Sequence, residues 1–136
     1  MSDPRVREGI RLIRAQEWFE SHEVLEGPWR EAEGETKSFL HDLIHAAVSL
    51  EHLKRGNPRG SWGQWTKALQ KFAQIPASVE GWDMANWQQE LSKFYTSIDL
   101  KERSRRHVAR ESMAGLPSIP TIDTWPNLSP MDGQVR

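Results

Sequence analysis

Cysteine is absent from the 136 residues, which excludes disulfides and thiol nucleophiles and suits a reducing compartment. An excess of one charge is also missing. Eighteen Lys and Arg stand against 19 Asp and Glu, a net charge of −1. No overall imbalance therefore draws the chain to nucleic acid or to an anionic membrane. No segment approaches the roughly 20 apolar residues of a membrane span. The opening Met1-Ser2-Asp3-Pro4-Arg5 carries no apolar stretch of the secretory kind, so the expected location is cytoplasmic. Tyrosine is scarce, one against seven tryptophans. Rings that large point to a core with bulky anchors, or to stacking surfaces.

What is present fits one domain with a core of its own. Four of the eight prolines (Pro117, Pro120, Pro126, Pro130) fall in residues 115–136, which show no helical period. That stretch is predicted to be an extended Pro-rich tail, leaving residues 1–114 as the helical domain. Just before it, Lys101 to Glu111 holds five basic and two acidic residues, expected to be a solvated helix end.

Five helices are predicted upstream. Asp3 is an N-cap with Pro4 at the first helical position, followed by Val6, Ile10 and Ile13 at helical spacing. The second helix covers 17–31. The third covers 37–55 and stops at Gly56-Asn57-Pro58. The fourth runs over 58–74 with Trp62, Trp65, Leu69 and Phe72 on one stripe. The fifth starts at Asp83, where Trp82 and Trp87 occupy the positions of a hydrophobic staple, and its stripe is Met84, Trp87, Leu91, Phe94 and Ile98. No alternating strand pattern competes. The expected fold is all-α, a compact five-helix bundle of antiparallel hairpins.

Helix 2 carries the chemistry. Trp18, Leu25 and Trp29 cluster on one side with Phe19 about 100° further round, and His22 and Glu26 fall inside that apolar arc, between the tryptophans and the phenylalanine. Four residues apart, their side chains are neighbours. A histidine and a carboxylate facing a core must satisfy one another or some other group, because a buried unpaired charge is costly. Glu23 lies outside the arc. Helix 3 is apolar around most of its circumference, with one polar stripe of Ser38, His41, Asp42, His45, Ser49 and His52. In an antiparallel hairpin turning near Gly34, residue 22 lies level with about 47 and residue 26 with about 43. Rotation of the stripe toward helix 2 brings His45 into reach of His22 and Glu26.

These residues also form a familiar pattern. Trp18-Phe19-Glu20-Ser21-His22-Glu23-Val24-Leu25-Glu26, then Trp29, resembles the F-x-E-x-H-E-x-L-E-x-x-W signature of domain-of-unknown-function family 309. Phe39 to Ala47 and His52 to Asn57 are similar to that family's F-L-x-G-L-I-Q-x-A and H-x-x-x-G-N elements. The resemblance spans residues 8–75. It implies a compact helical bundle with His22, Glu23, Glu26, Trp29, His52, Gly56 and Asn57 on matching positions, and it implies no activity. His45 stands where the pattern leads one to expect glutamine, Asp42 where it leads one to expect glycine, and Gly27-Pro28 is expected to kink or restart helix 2.

Four readings follow. A metal site would use His22, Glu26 and His45, with His41 or Asp42 assisting. The cofactor would be a divalent metal such as zinc, iron or manganese. The spacing is His-Glu-x-x-Glu, though, and not the His-Glu-x-x-His of zinc proteases. An acid–base site would have Glu26 orient His22 for proton transfer. No nucleophile motif accompanies it, and Gly56, Gly60 and Gly63 are too scattered for a phosphate loop. A purely structural pair would fix the register of helices 2 and 3, with the helix 3 stripe a plain solvent face. An interaction module would use the tail and Trp125 for self-association or a protein partner. The sequence favours a non-enzymatic binding or structural role. Its polar pocket between helices 2 and 3 would draw on His22, Glu23, Glu26, Trp29, His45, His52 and Asn57. The metal-dependent or acid–base enzyme is the alternative. Nucleic acid is not an expected partner, because no aromatic is interleaved in the short basic run.

Overall fold

A computed structural model of the chain describes residues 3–79 and 82–105. The tail at 115–136 with Trp125, the boundary at 114 and the basic run beyond Arg105 lie outside the described residues. So does the Trp82 side chain of the expected staple.

Helix α1 (Pro4–Arg14) begins as its sequence dictates: Asp3 Oδ1 accepts a hydrogen bond from the Arg5 backbone N–H at 2.9 Å. Helix α2 (Trp18–Glu31) runs without interruption through Pro28, whose side chain is buried. The expected restart does not occur. A proline removes one backbone bond from a helix, and burying its ring against the core offsets that loss. Helix α3 (Gly34–Lys54) starts three residues earlier than expected and ends in a Schellman turn. There Gly56 takes φ +77°, Asn57 N–H donates to His52 O at 2.9 Å and Gly56 N–H to Leu53 O at 3.0 Å. Helix α4 (Pro58–Phe72) follows at once, capped by Asn57 Oδ1 accepting from the Gly60 N–H at 3.0 Å.

A short antiparallel ladder comes next, β1 (Ser78–Val79) with β2 (Trp82–Asp83), pairing Ser78 with Asp83 and Val79 with Trp82. Helix α5 (Met84–Ser97) is capped by Asp83, whose Oδ1 accepts from the Asn86 N–H at 3.0 Å. Asp99 in the left-handed region (φ +56°) turns the chain into α6 (Leu100–Ser104). The described residues thus hold six helices and a two-residue ladder where five helices were expected. Neither addition has a readable period at so short a length.

Helices α1 to α4 pack in chain order, each on the next, and α6 rests on α4 and α5. The contacts run antiparallel. Gly9 meets Leu25 and Arg5 pairs with Glu31 between α1 and α2, while His45 meets Gln64 and Ser49 meets Ser61 between α3 and α4. The core takes Ile13, Trp18, Leu25, Phe39, Leu43, Leu50, Met84, Trp87 and Leu91 out of water. The expected α5 stripe is buried along its whole length. The polar stripe of α3 is no solvent face, which corrects the structural reading. Ser49 and Asp42 are buried and His41, His45 and His52 half-buried; α4 meets Ser49 and His45, and Trp29 of α2 meets His41. Among the described residues no helix is long and apolar enough to cross a membrane.

Candidate functional site

The residues singled out on α2 and α3 separate into two clusters. The first is a cleft of about 200 Å³ between the two helices, lined by Trp18, Phe19, His22, Val48, Glu51, His52 and Arg55. Its floor follows from helix geometry. Residues 18, 19 and 22 share one turn of α2, and 48, 51, 52 and 55 fall along one stripe of α3. Residue 22 therefore lies beside 48 to 52, close to the expected register. Trp18 is 1% exposed and forms the inner wall, whereas Phe19, 50% exposed, stands at the mouth. Arg55 pairs with Glu51 at the rim, 2.5 Å from its carboxylate.

His52 is held by the turn that ends its own helix. Asn57 Nδ2 donates to His52 Nδ1 at 3.2 Å, while the Asn57 Oδ1 caps α4. With Nδ1 accepting, the neutral ring carries its proton on Nε2. A Cβ at Gly60 would lie 2.6 Å from Asn57 Nδ2 and 2.9 Å from His52 Nδ1, so only glycine leaves room for this lock. The H-x-x-x-G-N element thus reads as one device: a helix stop, a helix start and an oriented imidazole.

His22 is positioned differently from the expectation. Glu26 turns toward Arg30 at 3.4 Å, and among the described residues no hydrogen bond joins it to His22. Glu23 is exposed. A carboxylate at the helix surface gains more from an adjacent guanidinium than from a neutral ring, and both partners keep their hydration there.

The second cluster holds Trp29 and His45, one to two turns away along α3. The rings of Trp29 and His41 lie 4.9 Å apart, and those of His41 and His45 4.2 Å apart. Lys37 Nζ sits 4.9 Å from the Trp29 ring centroid. His45 Nδ1 donates to Gln64 Oε1 of α4 at 2.8 Å, the roles set by the acceptor oxygen. Burial, His45 and the ammonium groups of Lys71, Lys37 and Lys67 push His41 down to about 4. Burial also lowers His45, against the Gln64 hydrogen bond, which raises it. Asp42, one residue along from His41, is driven up to about 8 by burial alone. Among the described residues no three His, Asp or Glu side chains are grouped to hold a metal ion, so His22, Glu26 and His45 do not form one site.

Sequence reasoning missed Val48, Glu51 and Arg55 in the cleft, and Gln64 beside His45. The Glu51 to Arg55 spacing of four was a readable signal. Gln64 was not, since its role depends on how α4 lies against α3.

Residues 6–64 match the family model described as Domain of unknown function (DUF309), the family whose motifs the sequence resembles. The match contains both motifs and ends within α4, short of the 75 expected. No curated protein matches the chain.

Proposed function

We propose that the protein, whose residues 6–64 match DUF309, is a binding protein that takes a small organic acid with an apolar body in the α2–α3 cleft. One observation carries the reading. His22 and His52 come from two separate motifs, and both line a single cleft with the apolar side chains of Trp18, Phe19 and Val48. An apolar floor with few polar groups converging on it is the usual composition of a small-molecule site. The apolar body of the ligand lies on the Trp18 and Phe19 rings. Its acid group accepts hydrogen bonds from the imidazoles.

The volume of about 200 Å³ lies below the roughly 300 Å³ at which drug-sized sites begin and limits the ligand to benzoate or hexanoate size. An acid–base enzyme remains the second reading, and it has less support, because Glu26 is engaged by Arg30 and does not orient His22.

The test is a titration of ¹⁵N-labelled protein with benzoate and hexanoate, followed by NMR. Saturable shifts at Trp18, Val48 and the His22 and His52 rings are expected. His22→Ala and His52→Ala should each weaken binding about tenfold, the loss of one hydrogen bond to a charged acceptor. Asn57→Ala should weaken it less, because the ring remains and only its orientation is lost. Saturable shifts that map elsewhere, or unchanged affinity in both histidine variants, would sink the proposal.

A further inference from the structure

The second cluster has a charge pattern that the cleft lacks. Gln64, Lys67 and Lys71 are spaced three, four and seven apart, which sets all of them on one face of α4. The bond from His45 to Gln64 fixes that face against α3. Because α3 and α4 run antiparallel, Lys67 and Lys71 continue past Gln64 toward the end of α3 that carries His41. From the other side, Lys37 precedes His41 by one turn of α3 and lies over the Trp29 ring. Three ammonium groups from two helices thus flank a row of rings, Trp29, His41 and His45.

Surface cations are commonly paired with carboxylates, as here at Glu51–Arg55, Glu8–Arg11 and Glu90–Lys93. Among the described residues no carboxylate pairs with Lys37, Lys67 or Lys71. Holding three like charges around half-buried rings is unfavourable in the free protein. A multiply charged anion removes that repulsion, and a single carboxylate would neutralise only one of the three.

We infer that the face formed by Lys37, His41 and His45 of α3 with Lys67 and Lys71 of α4 binds a phosphate-type oxyanion. The lysines supply charge from two directions. His45, whose Nδ1–H is held by Gln64, presents Nε2 as an acceptor to a protonated phosphate oxygen, and the His41 ring beside it offers one donor nitrogen and one acceptor nitrogen. This site is separate from the α2–α3 cleft: none of its residues lines that cleft, so either assignment can fail without the other.

The probe is inorganic phosphate, titrated into the full chain at constant ionic strength, with the histidine ring signals of His41 and His45 followed by NMR. Saturable shifts of both, with those of His22 and His52 unmoved, are expected. Lys67→Gln combined with Lys71→Gln should weaken the response at least about tenfold. Both side chains sit on the α4 surface outside the core, and far-UV circular dichroism checks that the variant keeps its helices. Lys37→Gln, on the other helix, serves as a second and independent variant. Lys93→Gln on α5 should leave binding unchanged. The inference is overturned by a linear drift that chloride reproduces at equal ionic strength. It is also overturned by saturable binding that survives both the double variant and Lys37→Gln.

Discussion

Asp42 and His41 sit side by side on α3, and burial shifts them in opposite directions. A neutral carboxyl is favoured at the first and a neutral imidazole at the second, since desolvation disfavours whichever form is charged. Asp42 is 3% exposed, and its carboxyl rises to about 8 from 3.8 with no cation contributing. Its folded pKa is raised, so its contribution to stability is complete below about pH 4 and is lost as pH climbs toward 8. Asp42→Asn keeps the shape and removes the titration. Urea denaturation should therefore find the variant equal to the parent near pH 4 and a few kcal/mol more stable near pH 8. A gap that is the same at both pH values would show that Asp42 is not buried as an acid. His41, lowered to about 4, works the other way and costs stability as pH falls below its ordinary value. The unusual identity of position 42 was legible beforehand, since the resemblance leads one to expect glycine there. Its burial was not, because a polar stripe on a helix looks the same in sequence whether water or another helix covers it.

At the scale of elements, the caps were the most legible features. Asp3 and Asp83 accept the backbone bonds expected of a helix start, and Asn57, expected as part of the α3 stop, caps α4 as well, since that chemistry is settled within three residues of chain. The Pro28 restart failed for the converse reason: a single lost bond is local, whereas the packing that overrides it is not. Close approach between elements is equally invisible in sequence. A Cβ on Gly9 would come 2.4 Å from Leu25 Cδ2, and Leu25 is fully buried and cannot move aside. Gly9→Ala should force α1 off α2, even though alanine is the better helix former. The expected net cost is about 1–3 kcal/mol, measured as a lower midpoint in urea at unchanged m value. A variant as stable as the parent would mean the two helices are less tightly apposed than described.

Across the whole molecule, one buried polar knot joins three helices. The Ser49 hydroxyl meets Ser61 Oγ at 3.0 Å and Tyr95 OH at 2.8 Å, and donates to the Ser61 carbonyl at 2.8 Å. Tyr95 is fully buried, and burial raises its phenol against the opposing effect of the two hydroxyls. Tyr95→Phe keeps the ring contact with Trp65 at 4.9 Å and deletes only the hydroxyl. It should lower stability by about 1–2 kcal/mol, because Ser49 keeps other partners, and scanning calorimetry would read this as a drop in Tm. No shift in Tm would assign the tie between α3 and α5 to apolar packing alone.

The helical class, the order of the first four helices, the caps at Asp3 and Asp83 and the apolar stripe of α5 follow from the sequence by itself. Each depends on residues within a few positions of one another, where backbone geometry and side-chain spacing decide the outcome. The motif histidines could be named in the same way, but not assigned to sites. Tertiary structure brought His22 and His52 to one cleft, sent His45 to Gln64, set His41 beside three lysines, and turned Glu26 out to Arg30. Those choices rest on the rotation of α3 between α2 and α4. That rotation is set by the fit of the whole core, and no local stretch of the chain encodes it.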